Sequence, residues 1–505
     1  MHRYVLGFFL VGLGVVGAVE KPNIVVIMAD DMGYGDLSCY GATVFKSPNI
    51  DRLAEEGIRF TDGYCSASTC TPTRFSFLTG INAFRVKGTG IAPPNGKLTI
   101  QVGTPTLPSL LKRAGYRTAV IGKWHLGLGD PKPEWNGDLK PGPLEIGFDE
   151  CFLLPTTNDR VPQVYVKNHR VLNLDPADPL WVGEKSPGPN HPNGKDNRDQ
   201  LKMDWSHGHN STIHNGISRI GFYTGGEKAR FRDEDLGDRW VEESRKFIRA
   251  NKGAPFFLFF ASHDLHVPRM PHERFQGKSG TGFRGDSILQ LDWCVGEVVK
   301  CLEEEGLADN TLIIFCSDNG PVLDDGYVDG AVTELSDHNP SGPFSGGKYT
   351  ILEGGTRTPF ITYWPGKIGK GTSAEVVSTI DLSRSLAVLA GVELAEGECR
   401  DSEDVLAALL GKEGAKGRGQ VLQQDNGTKG AKGDFGFRKG DWKLTRRTKK
   451  GLGQATISQK PIPPLRGLHS LYYLPDDPGE LDDLGQQNPK KLAEMIRELD
   501  EELGR

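Results

Sequence analysis

Residues 22–36 read P-N-I-V-V-I-M-A-D-D-M-G-Y-G-D. The unbroken apolar run Ile24–Ala29 predicts a central strand buried on both faces, as in a parallel sheet covered by helices. It ends at Asp30-Asp31. In open α/β sheets, ligands bind beyond the carboxyl ends of the strands. Two adjacent carboxylates there repel each other and imply a cation; a solvated turn is the plainer alternative. The same logic recurs twice. Pro255–Ala261 is a second buried run, followed by Ser262-His263-Asp264-Leu265-His266-Val267-Pro268, and Leu312–Cys316 is a third, followed by Ser317-Asp318-Asn319-Gly320. A strand over Tyr116–Ile121 delivers Gly122-Lys123-Trp124-His125, and Phe360–Pro365 forms another. Lys123 and His125 share a face if the chain stays extended. A cation beside an imidazole suits an oxyanion pocket with proton transfer.

Between these runs lie helical patterns. Ser47–Gly57 reads as a helix capped by Ser47 and stopped by Gly57; Thr106–Gly115, Asp238–Ala250 and Ser287–Glu305 follow the same rules. Alternating strands and helices define an α/β architecture. Into it is set Cys65–Gly80, C-S-A-S-T-C-T-P-T-R-F-S-F-L-T-G. A small polar loop gives way to a helix with Phe75, Phe77 and Leu78 turned inward. Cys70 falls at the junction, with Arg74 one turn further on. First-turn N–H groups and a cation at i+4 make an anion site. A buried structural thiol and an ordinary surface arginine remain the alternative for that pair alone.

The chain has 505 residues, too many for one small core, and a net charge of −6, which argues against a nucleic-acid surface. An anionic substrate would therefore need a locally positive pocket. Residues 1–18 read as an export signal: His2 and Arg3, then an apolar run, then Val16-Gly17-Ala18. The run is too short for a confident membrane span, and no later stretch qualifies. A periplasmic or secreted protein, without stable membrane insertion after signal cleavage, is the expectation. The eight cysteines show no zinc spacing and fix no disulfide. Residues 19–409 read as the main domain, with a Gly- and His-rich insertion at about 170–235, and residues 410–505 as a smaller α+β subdomain with an antiparallel sheet. Gly411–Gly433 reads as an exposed loop, and Arg446-Arg447-Thr448-Lys449-Lys450 as a solvated hairpin or a patch for an anionic polymer.

Taken together, these residues resemble the type I, formylglycine-dependent sulfatase family of the alkaline-phosphatase-like superfamily. Cys70-Thr71-Pro72-Thr73-Arg74 matches its Cys-x-Pro-x-Arg signature. Asp30-Asp31, Gly122–Gly127, His263, Asp318-Asn319 and Gly347-Lys348 follow in the family's order. The resemblance implies a large, mixed, mostly parallel sheet sandwiched by helices, with the smaller C-terminal subdomain. It implies that a formylglycine-generating or anaerobic sulfatase-maturating enzyme converts Cys70 to formylglycine, hydrated to a diol. One calcium ion would be bound by Asp30, Asp31, Cys70, Asp318 and Asn319; such hard oxygen donors would also accept magnesium. Arg74 would stabilise the diol, Lys123 and Lys348 would hold sulfate oxygens, His125 would take the proton for sulfate elimination, and His263 would assist the leaving oxygen. Thr157 stands where relatives carry a serine near the sulfate.

The strings Gly147–Glu150, Val161–Tyr165, Gly342–Phe344 and Glu353–Gly355 resemble N-acetylgalactosamine-6-sulfatase and bacterial glycan sulfatases. The expected substrate is a 6-O-sulfate of galactose or N-acetylgalactosamine in a sulfated saccharide, with Asp264, His266, Asp337, His338 and residues 200–214 as candidate sugar contacts. The alternatives are a sulfatase for another glycan position or an aryl sulfate, a phosphoester hydrolase, and a non-catalytic sulfated-glycan-binding protein.

Overall fold

The computed structural model describes residues 21–425, 430–448 and 468–504. The signal expected at residues 1–18 and the pair Lys449-Lys450 lie outside the described residues. At the centre of a ten-stranded sheet, five strands run parallel in the order Thr311–Ser317, Asn23–Ala29, Phe256–Ala261, Arg117–Lys123, Glu150–Leu154. Antiparallel strands flank this block. Phe360–Tyr363, then Ile58–Phe60 and, parallel to the latter, the edge strand Gly371–Ser373 lie on one side, and the hairpin Val166–Lys167/Arg170–Val171 on the other. The sheet is thus mixed and mostly parallel, as the sequence predicts.

Side-chain alternation explains why the central runs are apolar throughout. Ile24, Val26 and Met28 enter one core with Phe75, Phe77 and Leu78, while Val25, Ile27 and Ala29 enter the other with Trp240, Ile288, Leu291 and Val295. Helices cover both faces, so neither register can expose a polar side. The helices are Pro48–Glu56, Cys70–Thr79, Leu107–Arg113, Leu236–Asn251 and Gly282–Glu304, within a few residues of the expected spans. Ser47 does not cap its helix. Its hydroxyl is engaged with Asp51, and the carboxylate of Asp292, on the Gly282–Glu304 helix, accepts the N–H groups of Asn49 and Ile50 instead, at 3.0 and 2.9 Å. All eight cysteines are free thiols. Among the described residues, no helix is long and apolar enough to cross a membrane.

The second sheet, Gln420–Gln424, Phe435–Lys439, Trp442–Arg446 and His469–Tyr473, is antiparallel throughout. The Pro489–Glu502 helix closes it through Met495 and Leu499, and Phe84 of the main domain enters the same core. Two expectations fail here. The segment read as an exposed loop contains the Gln420–Gln424 edge strand, whose Gln423 and Gln424 are buried against the main domain; glutamine carries no hydrophobic signal, so the strand is not visible in the pattern. Nor is the basic cluster solvated at its start: Arg446 pairs with Asp500 at 2.8 Å, and Arg447 is buried.

Buried charges fasten the two units. Lys443 reaches Glu353 at 2.8 Å and Glu480 at 3.0 Å, all three fully enclosed. Burial, reinforced by Glu353, pushes Glu480 up to about 7 even beside Lys443. Arg438 meets Asp62 and donates to the Tyr64 hydroxyl, and Arg357 pairs with Asp62 at 2.9 Å. Removing one member of such a set strands the others in a low-dielectric interior. Lys443→Ala is therefore expected to cost about 3–5 kcal/mol, read as a lowered midpoint in urea unfolding; a loss within the ordinary surface range of about ±0.5 kcal/mol would refute this.

Candidate functional site

The parallel strands end in register. Met28 lies level with Cys316 on one side and Ala261 on the other, and Ala261 level with Gly122. The residues just beyond these ends therefore converge on one edge of the sheet. Two glycines permit the crowding. A Cβ on Gly122 would meet the Ala261 carbonyl oxygen at 1.9 Å, and one on Gly320 would meet that of Gly354 at 1.8 Å.

Asp30, Asp31 and Asp318 bring carboxylate oxygens within 4.8 Å of one another, all fully buried. Burial, with Asp318 and Asp31 beside it, pushes Asp30 well above the usual carboxylate range even though Lys123 opposes the shift. Asn319 donates to Asp31 at 2.7 Å, while its own side-chain oxygen and Oδ1 of Asp30 are buried without a hydrogen-bond partner. Three clustered carboxylates and an amide oxygen, two of those oxygens unsatisfied, are the donor set of a hard divalent cation. These residues fit such an ion.

Cations surround the acids. Arg74 is fully enclosed, donating to Asp318 through Nε at 2.9 Å and to the Lys123 carbonyl at 2.9 Å. Lys123 pairs with Asp30, and Lys348 bridges Asp31 and Asp325 at 2.8 Å each. Burial opposes the charge on both lysines, but Asp30 holds Lys123 protonated, and Asp31 with Asp325 does so for Lys348.

Cys70 is the first residue of its helix; Thr69 before it is extended. The thiol is 2% exposed, and burial, aided by Asp30 and Asp318, pushes it up to about 11. At neutral pH it is a protonated thiol and a poor nucleophile. Asp30 and His266 offer atoms within 4.8 Å of its sulfur.

The imidazoles differ from the sequence expectation. His125 adopts a left-handed backbone, φ 52°, rather than continuing the strand. Its Nε2 meets the Ala92 carbonyl at 3.1 Å, so that nitrogen donates, and Nδ1 keeps a buried lone pair without a partner. Burial and Lys123 hold it well below the usual histidine value, which favours the neutral ring. His263, assigned to the leaving oxygen, instead accepts a hydrogen bond at Nδ1 from the Trp240 indole at 3.0 Å and faces Asp264 at 3.5 Å. His266 is the imidazole brought to the cysteine, with Nδ1 donating to the Val267 carbonyl at 2.7 Å and Nε2 4.0 Å from Asp31. In H-D-L-H the histidine three residues later is the one delivered, a choice that spacing alone does not make.

The other candidate sugar contacts divide. Asp264 is buried and accepts from Gln290 at 3.1 Å. His338 Nε2 lies 2.8 Å from an Asp36 oxygen and the ring packs on Phe45, so it is committed to a buried hydrogen bond with an acid that also pairs with Arg284. Asp337 is exposed. Thr157 is buried, donating to Asp159 and accepting from Arg160 at 3.0 Å. Sequence reasoning missed Asp159, Arg160 and Asp325, because no spacing marks them. The insertion contributes His209, whose Nε2 lies 3.0 Å from Asp159.

The model of the Sulfatase family matches residues 22–392. An N-acetylgalactosamine-6-O-sulfatase of Bacteroides thetaiotaomicron is 45% identical over 95% of this chain and 92% of its own. Human arylsulfatase A is 32% identical over 92% and 83%. A solved structure from work on glycosaminoglycan metabolism in Bacteroides thetaiotaomicron superposes with a TM-score of 0.91 at 43% identity, covering 96% of this chain and 100% of that one.

A divalent cation present at about 100 times its dissociation constant is expected to raise unfolding stability by about 2.7 kcal/mol. Asp318→Asn should erase most of that gain, measured by thermal unfolding with and without chelator. Equal gains in the two proteins would remove Asp318 from the cation site.

Proposed function

We propose, from the premise that the chain belongs to the sulfatase family and is a sulfuric ester hydrolase, that it removes 6-O-sulfate from galactose or N-acetylgalactosamine in sulfated glycans. One observation carries the chemical part: a buried cysteine at a helix N-terminus, with His266 and Asp30 within 4.8 Å, sits at a cluster of three acids paired to two lysines and an arginine. The sugar rests on the name of the Bacteroides relative and on the coverage of both chains.

When present, a formylglycine made from Cys70 by a maturating enzyme would supply the nucleophile, and a calcium ion on Asp30, Asp31, Asp318 and Asn319 would supply positive charge. The residues do the rest. Lys123 and Lys348 hold sulfate oxygens, aided by the first-turn N–H groups of the Cys70–Thr79 helix. Arg74 fixes Asp318 and keeps that acid turned to the cluster. His125 takes a proton at its free Nδ1 as sulfate departs. His266, rather than His263, serves the leaving alcohol. Its Nδ1–H is occupied by a carbonyl, so proton exchange runs through Nε2. Burial and the two lysines hold its proton affinity well below the usual histidine value, and the negative charge of a bound sulfate ester offsets those lysines. The Trp240 hydrogen bond makes His263 a prop for its loop. The signal at residues 1–18 supports a periplasmic or secreted enzyme.

The test is product analysis of matured enzyme on 6-, 4-, 3- and 2-sulfated sugars, where free sulfate is expected from the 6-ester; preference for another position would overturn the substrate assignment. Cys70→Ala should fold with a similar melting temperature and lose turnover by about 1,000-fold or more. His266→Ala should lose about 10²–10⁴ in kcat and His263→Gln far less; the reverse order would restore the original assignment.

A further inference from the structure

Asp325 is a carboxylate that the mechanism above does not use. It lies eight residues past the end of the Thr311–Ser317 strand, and one of its oxygens is within 4.8 Å of ligand atoms on His266 and Asp31. Lys348 donates to Oδ2 at 2.8 Å, and the Tyr349 hydroxyl reaches both oxygens at 2.9 and 3.1 Å. Tyr349 holds this place with a left-handed backbone, φ 72°, and its N–H donates to Ser68 in the nucleophile loop at 2.9 Å. Burial opposes ionisation of Asp325, but Lys348 outweighs it and brings the carboxyl below its ordinary value. Asp325 is 13% exposed on its side chain, against 0% for Asp31, so it keeps some access to solvent while that metal-site acid has none.

An ionised carboxylate only accepts hydrogen bonds, and each oxygen has room for more than the donors it now has. A sugar hydroxyl can donate to it; a sulfate ester cannot, and would bring like charge against it. The cation Arg160 is held by its own acid: its Nη1 donates to both oxygens of Asp159 at 2.9 Å and to Thr157. Lys348 is claimed by the sulfate under attack. On a 6-sulfated ring the hydroxyl nearest the ester is the one on carbon 4.

We propose that Asp325, braced by Lys348 and Tyr349, accepts that neighbouring free hydroxyl and excludes sugars carrying a second sulfate beside the first. The enzyme then acts after a hydrolysis that removes the adjacent ester. This rests on the sulfatase reading above and deepens its substrate class.

The experiment compares kcat/KM of matured wild-type enzyme for 6-sulfated N-acetylgalactosamine and its 4,6-disulfated counterpart, with Asp325→Asn beside it. Wild type is expected to favour the monosulfate by about 100-fold or more, and Asp325→Asn to narrow that gap by about tenfold or more while slowing the monosulfate reaction. Turnover of the disulfate within about threefold of the monosulfate would overturn the proposal. So would an Asn variant that slows both substrates equally, since that is the mark of a merely structural role. Calorimetric binding of the two sugars to Cys70→Ala protein gives the same comparison without relying on the Asn variant. If wild type cleaves no 6-sulfate, the substrate assignment fails instead, and the pair is rerun with the monosulfated sugar that is cleaved and its adjacent disulfate.

Discussion

Three carboxylates held in a dry pocket cannot all stay ionised without positive charge nearby. That constraint governs the carboxyl edge of the sheet. Asp30, Asp31 and Asp318 lie within 4.8 Å of each other, and the protein answers with Lys123, Lys348 and Arg74, each buried and each paired to a different acid. The lysines serve two ends. They lean on the acids here, and a sulfate ester would draw them toward its oxygens once a metal ion satisfies the carboxylates. Burial, aided by Asp30 and Asp318 against the two lysines, keeps the Cys70 thiol protonated, and burial with Lys123 keeps His125 neutral.

The fold makes this arrangement possible by ending its central strands at one level. Five parallel strands in tight register bring acids, lysine and imidazoles from distant parts of the chain to one edge. Apolar packing on both faces fixes that register, because a slip by one residue would exchange the two cores.

The parts of this design that follow a period or a signature could be read from the sequence. Ile24–Ala29, Phe256–Ala261 and Leu312–Cys316 announce themselves by continuous apolar runs, and the paired acids after the first and the acid and amide after the third follow from strand-end logic. Cys70 and Arg74 are placed correctly by one helical turn. What could not be read depends on local conformation or on partners far away in sequence. His125 leaves the strand through its own left-handed backbone, which leaves its Nδ1 buried without a partner. His263 is read as the group at the leaving oxygen and His266 only as a sugar contact, and the sequence does not show that Trp240 donates to the first. His338 looks available until Asp36 is seen beside it. Asp159 and Asp325 carry no motif, and the Gln420–Gln424 strand is polar where its side chains hydrogen-bond to the main domain, Gln423 donating to Thr356 and Gln424 accepting from the Phe84 N–H.

That last strand has a consequence for timing. The loop before Cys70 is completed by backbone hydrogen bonds from Gln424, a residue made long after the cysteine. At about 5–20 residues per second of synthesis, tens of seconds separate the emergence of the two. Throughout that interval the cysteine segment lacks its final wall. The cysteine segment therefore stays open for a time set by gene order, and it closes when the C-terminal sheet docks. Moving that strand earlier in the chain would shorten the opening without altering one residue of the finished pocket.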